Sequence, residues 1–170
     1  VSVHPFHPGE LAAQACFQPD WGEDRARRLG RIIGSTLDEE KALFIEGLPF
    51  FFLATADADG NCDCSFKGTD PAPDGRPLPV VWVTGPRRLL FPDYTGNRMF
   101  NSLGNILVNP HVGMIFIDFA SQTRLRVNGS ARILEEGGDW KAHWPEARRA
   151  VEVTVEQVYW NCSRRIPKRL

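Results

Sequence analysis

Two stretches of the chain hold the side chains best suited to chemistry. The first is Pro92-Asp93-Tyr94-Thr95-Gly96-Asn97-Arg98. A polar turn with Gly96 leads into a helical pattern whose first residues are Asn97 and Arg98. A helix start offers free N–H groups and a partial positive charge, and Arg98 adds a full one. Thr95 and Asn97 donate as well, which makes the segment a recipe for an anion site. The competing reading is an ordinary capped helix with a surface arginine. The second stretch is Cys62 to Lys67, where Ser65 and Lys67 share the polar face of a strand. A lysine and a hydroxyl there can donate toward the electron-rich edge of a planar cofactor, or Lys67 is simply solvated. Arg124 and Arg126 offer an anion the same charge, or form a solvated strand face. Trp160 can cover an aromatic cofactor, or belong to a core or an interface.

Other chemistries lack their motifs. The chain has no G-x-G-x-x-G, no G-x-x-x-x-G-K-[ST] and no G-x-S-x-G. Asp57, Asp59, Asn61 and Asp63 alternate like the opening of a calcium loop. Cys62 stands where that loop needs glycine, and Gly68 where it needs glutamate, so calcium is rejected in favour of a hairpin turn. Cys62 and Cys64 have no second pair to complete a zinc site, and no metal is expected. Cys16, Cys62, Cys64 and Cys162 are expected as reduced, partly buried thiols. The balance of 20 basic and 21 acidic side chains gives a net charge of −1, which argues against a nucleic-acid partner. The longest apolar run, Leu48 to Ala56, is too short to span a bilayer. No secretory signal is visible in Val1 to Phe6, so the cytoplasm is the expected location.

These residues need a scaffold, and the hydrophobic pattern supplies one. Helices are expected at Gly9 to Cys16 and at Glu23 to Ile33, the latter with Ala26, Leu29, Ile32 and Ile33 as its apolar stripe. Asp38 caps a third, with Ala42, Leu43 and Ile45 buried and Gly47 and Pro49 as its stop. From residue 50 the period changes to two. Phe50 to Ala56 is a buried strand, Asp57 to Gly60 a turn, and Cys62 to Lys67 the returning strand. A loop over Gly68 to Pro79 precedes short strands at Val80 to Thr84 and Leu89 to Phe91. A helix follows from about Asn97 to Val108, burying Met99, Leu103, Ile106 and Leu107. Val112 to Phe119 is a central strand. Thr123 to Leu134 alternates most clearly, with Leu125, Val127, Ala131 and Ile133 on one face. A helical piece near Trp140 to Ala150 precedes the alternation of Val151, Val153 and Val155. The fold class is mainly β with helices: a six-stranded antiparallel barrel over residues 48–170, with an N-terminal helical segment, residues 1–47, packed on it.

Taken in order, Phe91-Pro92-Asp93-Tyr94-Thr95-Gly96-Asn97-Arg98, Ser102-Leu103-Gly104-Asn105-Ile106, Asn109-Pro110-His111-Val112-Gly113 and Leu125-Arg126-Val127-Asn128-Gly129 resemble the pyridoxamine 5′-phosphate oxidase-related family of FMN-binding split barrels. The resemblance covers Leu48 to Leu134, with an echo at Tyr159 to Pro167. It implies a homodimer with FMN in a cleft between subunits. By the same resemblance Ser65, Phe66 and Lys67 line the flavin, and Asp93 and Tyr94 pass near the ring or ribityl chain. Asn97 and Arg98 hold the phosphate, and Arg124 contacts the cofactor. Trp160 and Arg164 reach the flavin of the partner subunit. The chain also departs from the oxidases that make pyridoxal phosphate. It has Cys62 where they carry a phosphate-binding arginine. It ends Arg164-Arg165-Ile166-Pro167 where they carry Arg-x-His. Pyridoxamine phosphate is therefore not carried over as substrate, and no catalytic residue is assigned. The resemblance implies an FMN-dependent oxidoreductase acting on a small molecule. The alternatives are a flavin carrier or sensor without turnover, and a haem-binding split barrel.

Overall fold

The computed structural model describes residues 6–18, 22–134 and 137–167, with the side chains of residues 22, 23, 25 and 26 excepted. The expected burial of Ala26 lies outside these described side chains. Two compact units divide the chain, residues 1–34 and residues 35–170.

The first unit holds α1 (Pro8–Phe17) and α2 (Gly22–Gly30). His7 caps α1: its ring accepts from the Gly9 and Glu10 N–H groups, while the Glu10 carboxylate accepts from the His7 N–H. This reciprocal pair satisfies donors that a helix start otherwise leaves free.

The second unit begins with α3 (Glu39–Glu46), where Asp38 accepts from the Lys41 N–H. Ile45 is fully buried and Phe44 packs on the core, but Leu43 is exposed, contrary to the sequence pattern. Among the described residues seven strands follow rather than six: β1 (Phe50–Ala56), β2 (Cys62–Gly68), β3 (Trp82–Gly85), β4 (Arg88–Asp93), β5 (His111–Asp118), β6 (Thr123–Leu134) and β7 (Arg149–Asn161). α4 (Asn101–Val108) lies between β4 and β5, and the single turn α5 (Trp140–His143) precedes β7. The helical piece expected over Trp140 to Ala150 is thus one turn long. Strand β7 starts at Arg149 because it pairs along almost the whole of β6.

All pairings are antiparallel, in the order β2-β1-β5-β6-β7-β4-β3. The sheet curls on itself, so that Phe51 of β1 meets Phe91 of β4 with ring centroids 5.3 Å apart. Leu53, Met114, Phe116, Leu125, Val127 and Val153 fill the interior. At Asn128/Gly129 the β6–β7 register shifts by one, leaving Glu156 as the extra residue of a bulge. A Cβ at Gly129 would stand 2.1 Å from the Thr154 carbonyl oxygen, so the close approach of the two strands there requires glycine. A second cluster, of Leu90, Trp140, Trp144, Ala147 and Ala150, covers the other face of β4. Trp144 donates its indole N–H to the Pro79 carbonyl at 2.6 Å. No helix of the described residues is long and apolar enough to cross a membrane.

Candidate functional site

Strand β2 carries the first part of the site through an inversion of the usual strand pattern. In the β1–β2 ladder Asp63, Ser65 and Lys67 stand opposite Thr55, Leu53 and Phe51, which are buried interior residues. The polar face of β2 therefore points inward. Cys62, Cys64 and Phe66 point outward and are exposed, and none of the four cysteines is buried. For Cys62 and Cys64 the expected partial burial fails because the strand turns its polar side to the interior; Cys16 on α1 and Cys162 after β7 are exposed as well. Strand β4 supplies the facing wall, where Leu89, Phe91 and Asp93 follow the same inward period of two. Between β2 and β4 the barrel is split, and an open cleft of about 250 Å³ occupies the gap. Its walls include Ser65, Lys67, Asp93, Tyr94, Asn97 and Arg98, together with Asp63 and Ser102.

The polar side chains of the cleft are linked. Ser65 donates to Asp63 at 3.1 Å, so the 2.8 Å contact between the Ser65 and Ser102 hydroxyls has Ser102 as donor. Burial pushes the Lys67 ammonium down from its usual value, and the carboxylates of Asp93 and Asp63 oppose part of that shift. Asp93 also accepts from Arg149 at 3.3 Å, and the Arg149 guanidinium lies 5.7 Å over the Phe100 ring. Tyr94 packs against the tryptophan cluster. Its hydroxyl is shut off from solvent and makes no well-formed hydrogen bond. Burial, with the Asp70 carboxylate nearby, pushes its pKa up to about 12.

The segment before α4 differs from the sequence expectation. The helix starts at Asn101, four residues later than Asn97. Arg98 and Phe100 have left-handed backbones, with φ of 64° and 55°. Non-glycine residues adopt this conformation at a cost and concentrate at binding sites. Alternating backbone handedness turns successive N–H groups to one side, the geometry of an anion-binding concavity. Asn97 accepts from the Met99 N–H at 3.0 Å and helps fix the turn. Met99 and Leu107 are exposed rather than buried: Met99 falls in the turn before the helix, and Leu107 lies off the buried face of Ser102, Leu103 and Ile106. No side chain caps α4, so its first N–H groups are left for a ligand or water in the cleft that Arg98 also lines. Two bonds besides that of Ser102 to Ser65 hold α4 in place: Asn105 donates to Thr55 Oγ1 at 2.9 Å, and Asn109 to the Asp57 carbonyl at 3.3 Å.

Six of the ten expected residues thus meet in one cleft: Ser65, Lys67, Asp93, Tyr94, Asn97 and Arg98. The other four stand elsewhere. Phe66 stacks on Phe50 on the outer face, 63% exposed. Arg124 is paired in register with Asn161 and Ile117, its Nε buried without a partner. Trp160 meets Phe44 edge-on at 4.9 Å. Arg164 is exposed in the turn after β7. The sequence reading missed Asp63, although it shares the face of Ser65 and Lys67. It also missed Ser102, which the early helix start had placed inside α4.

Residues 37–162 match the pyridoxamine 5′-phosphate oxidase family, and the chain belongs to it. Solved structures share the fold. A candidate pyridoxamine 5′-phosphate oxidase from Lactobacillus delbrueckii is 24% identical with a TM-score of 0.54, covering 74% of this chain and 95% of its own. HupZ of Group A Streptococcus is 18% identical with a TM-score of 0.54, covering 73% and 93%. An FMN-binding protein from Syntrophomonas wolfei is 12% identical with a TM-score of 0.51, covering 88% and 97%. No curated protein sequence matches the chain.

Proposed function

We propose that the cleft between β2 and β4 binds FMN and that the protein is an FMN-dependent oxidoreductase. One observation carries the reading: a single cleft brings an anion-binding turn together with the inward polar face of β2. Arg98, the left-handed turn and the uncapped start of α4 line it together. They suit a phosphate, through charge-assisted and backbone hydrogen bonds. Ser65 and Lys67 stand on the β2 wall and suit the polar edge of a ring system. Asp93 and Tyr94 stand on the β4 wall. Bound FMN would supply the hydride or electron chemistry; the chain's own residues bind and orient it. The family membership and the fold shared with an FMN-binding protein support the reading.

The same proposal makes the working form a homodimer. A cleft of about 250 Å³ is small beside the roughly 300–1,000 Å³ of typical small-molecule sites. A second copy would complete the wall on the open side. The exposed Phe66, stacked with Phe50 beside Phe52, gives an apolar surface for that contact. Arg124, Trp160 and Arg164 lie outside the cleft of their own chain, and the proposal assigns them to the partner's flavin.

The absorption spectrum of the purified protein tests the reading. Flavin bands, and quenching of FMN fluorescence on titration with one FMN per chain, are expected. A colourless protein that does not bind FMN overturns it, and a Soret band in place of flavin bands selects the haem alternative. Bound FMN that neither NADH, NADPH nor a reduced deazaflavin reduces would leave a carrier or sensor. Sedimentation of the FMN-loaded protein as a 19.1 kDa monomer would remove the shared site.

A further inference from the structure

The turn that carries Arg98 is fastened by two arginines that the flavin reading leaves unused. Strand β7 begins beside the turn, with Arg149 directly opposite Asp93 in the β4–β7 ladder. Arg148 donates its backbone N–H to the Asp93 carbonyl at 2.8 Å and its guanidinium N–H to Thr95 Oγ1 at 3.3 Å. Those two bonds hold the start of the turn. Arg149 reaches further. Its guanidinium donates to the Asp93 carboxylate at 3.3 Å and lies 5.7 Å over the ring of Phe100. Asp93 ends β4, and Phe100 is the last residue before α4. One side chain therefore touches both ends of the turn.

This contact has a geometric and an electrostatic consequence. Phe100 holds a left-handed backbone, which costs free energy in a residue other than glycine. Its ring is no core anchor, since the residue is 51% exposed. The guanidinium over the ring, itself tied to Asp93, supplies the anchor that packing does not. The electrostatic consequence concerns Asp93, which lines the same cleft as Arg98. A bare carboxylate there would repel a phosphate. Lys67 is the other cation that faces it, and Arg149 adds the second counter-charge.

We propose that Arg149 is the positioning residue of the anion turn: it clasps Asp93 to Phe100, so that the turn keeps its shape and the cleft keeps the charge balance that admits a phosphate monoester. Arg149 stands outside the lining of the cleft and acts through those two residues. The inference rests on the flavin reading for the identity of the ligand, and on the turn alone for the clasp.

Fluorescence titration of the full chain with FMN and with riboflavin reads the charge. Arg149→Met should weaken FMN by about tenfold and riboflavin by less than about threefold. Adding Asp93→Asn to Arg149→Met should recover about threefold or more of the FMN loss, because no unpaired carboxylate remains. Arg149→Lys keeps the charge without the planar contact and should fall between parent and Arg149→Met. Chymotrypsin digestion of the ligand-free protein reads the shape. Cleavage after Phe100 should be about threefold or more faster in Arg149→Met, with Phe17 cut as in the parent and the buried Phe116 spared. Equal losses for FMN and riboflavin overturn the proposal, as does a double variant without recovery or an unchanged rate at Phe100. Cleavage at Phe116 overturns it too, since the variant has then lost the fold rather than the turn. A parent that binds neither flavin defeats the flavin reading alone; the clasp then stands or falls on the rate at Phe100.

Discussion

Strands β2 and β6 have the same period and opposite chemistry. Both alternate strictly between apolar and polar side chains. In β6 the apolar set faces inward, with Leu125 and Val127 fully buried, and Arg126 and Arg132 are exposed. In β2 the polar set faces inward, and Phe66 is exposed. The difference follows from neighbours. β6 is paired on both sides, by β5 and β7, and its inner face is sealed by the rest of the sheet. β2 is an edge strand paired only with β1, and its inner face looks across the split toward β4 and α4. Burying Asp63, Ser65 and Lys67 in a closed barrel would cost several kcal/mol per unpaired charge. The open slot and its mutual bonds remove that cost. One strand therefore holds the barrel together, and the other furnishes the place where it binds.

The comparison breaks most visibly in stability. Leu125→Ala should lower the unfolding free energy by about 2–5 kcal/mol in urea titration, through lost burial and a residual cavity. Ser65→Ala, at the matching inner face of β2, removes a hydrogen-bonded hydroxyl and should cost about 1 kcal/mol. Equal losses in the two variants would mean that β2 is core like β6, and that the slot is no binding site.

How much of this was legible in the sequence follows from the same contrast. Apolar runs located β1 and β5, and alternation located β2 and β6, all close to their observed bounds, because element type and extent follow from the pattern whichever face is inner. Periodicity does not say which face is inner, and on β2 the usual inference from apolar to buried inverts. The helix start failed for a related reason. Asn97 and Arg98 look like a first turn, but two left-handed residues delay α4 to Asn101, and no side-chain type signals them, since neither Arg98 nor Phe100 is glycine or asparagine. The cleft itself was readable as a set of residues, because Ser65, Lys67, Asp93 and Arg98 carry chemistry wherever they stand. The failures at Phe66 and Leu43 are failures of face, not of element.

The next effect isolates the turn before α4 from the polar face of β2. Arg98 has no carboxylate partner among the described residues, so its removal should leave stability within about 0.5 kcal/mol. Arg98→Ala should nevertheless weaken FMN by about 1.5–3 kcal/mol, the worth of a hydrogen bond to a charged group. Fluorescence titration with FMN and riboflavin side by side is the check. Riboflavin should bind the parent more weakly and be indifferent to Arg98→Ala. If FMN and riboflavin lose affinity equally, the arginine shapes the turn and does not meet the phosphate.

The smallest effect concerns Tyr94, on the β4 side of the split. Its phenol is pushed up to about 12, mainly by burial. In the unfolded chain it ionises near the ordinary value of 10.0. Below that value both states hold the proton and nothing is lost. Between about 10 and about 12 the unfolded chain releases its proton while the folded one keeps it, so stability falls as pH rises through this window. Lys67 acts with the opposite sign. Its lowered pKa means that the unfolded chain holds the extra proton, which adds stability as pH rises toward 10.5. The parent curve mixes the two, and Tyr94→Phe isolates one of them. The hydroxyl makes no well-formed hydrogen bond, so the variant should match the parent at neutral pH to within about 1 kcal/mol. In urea titrations above pH 10 it should lose less stability than the parent. A variant that declines in parallel with the parent would show that the phenol is already reached by water, and that the tryptophan cluster behind β4 does not seal it.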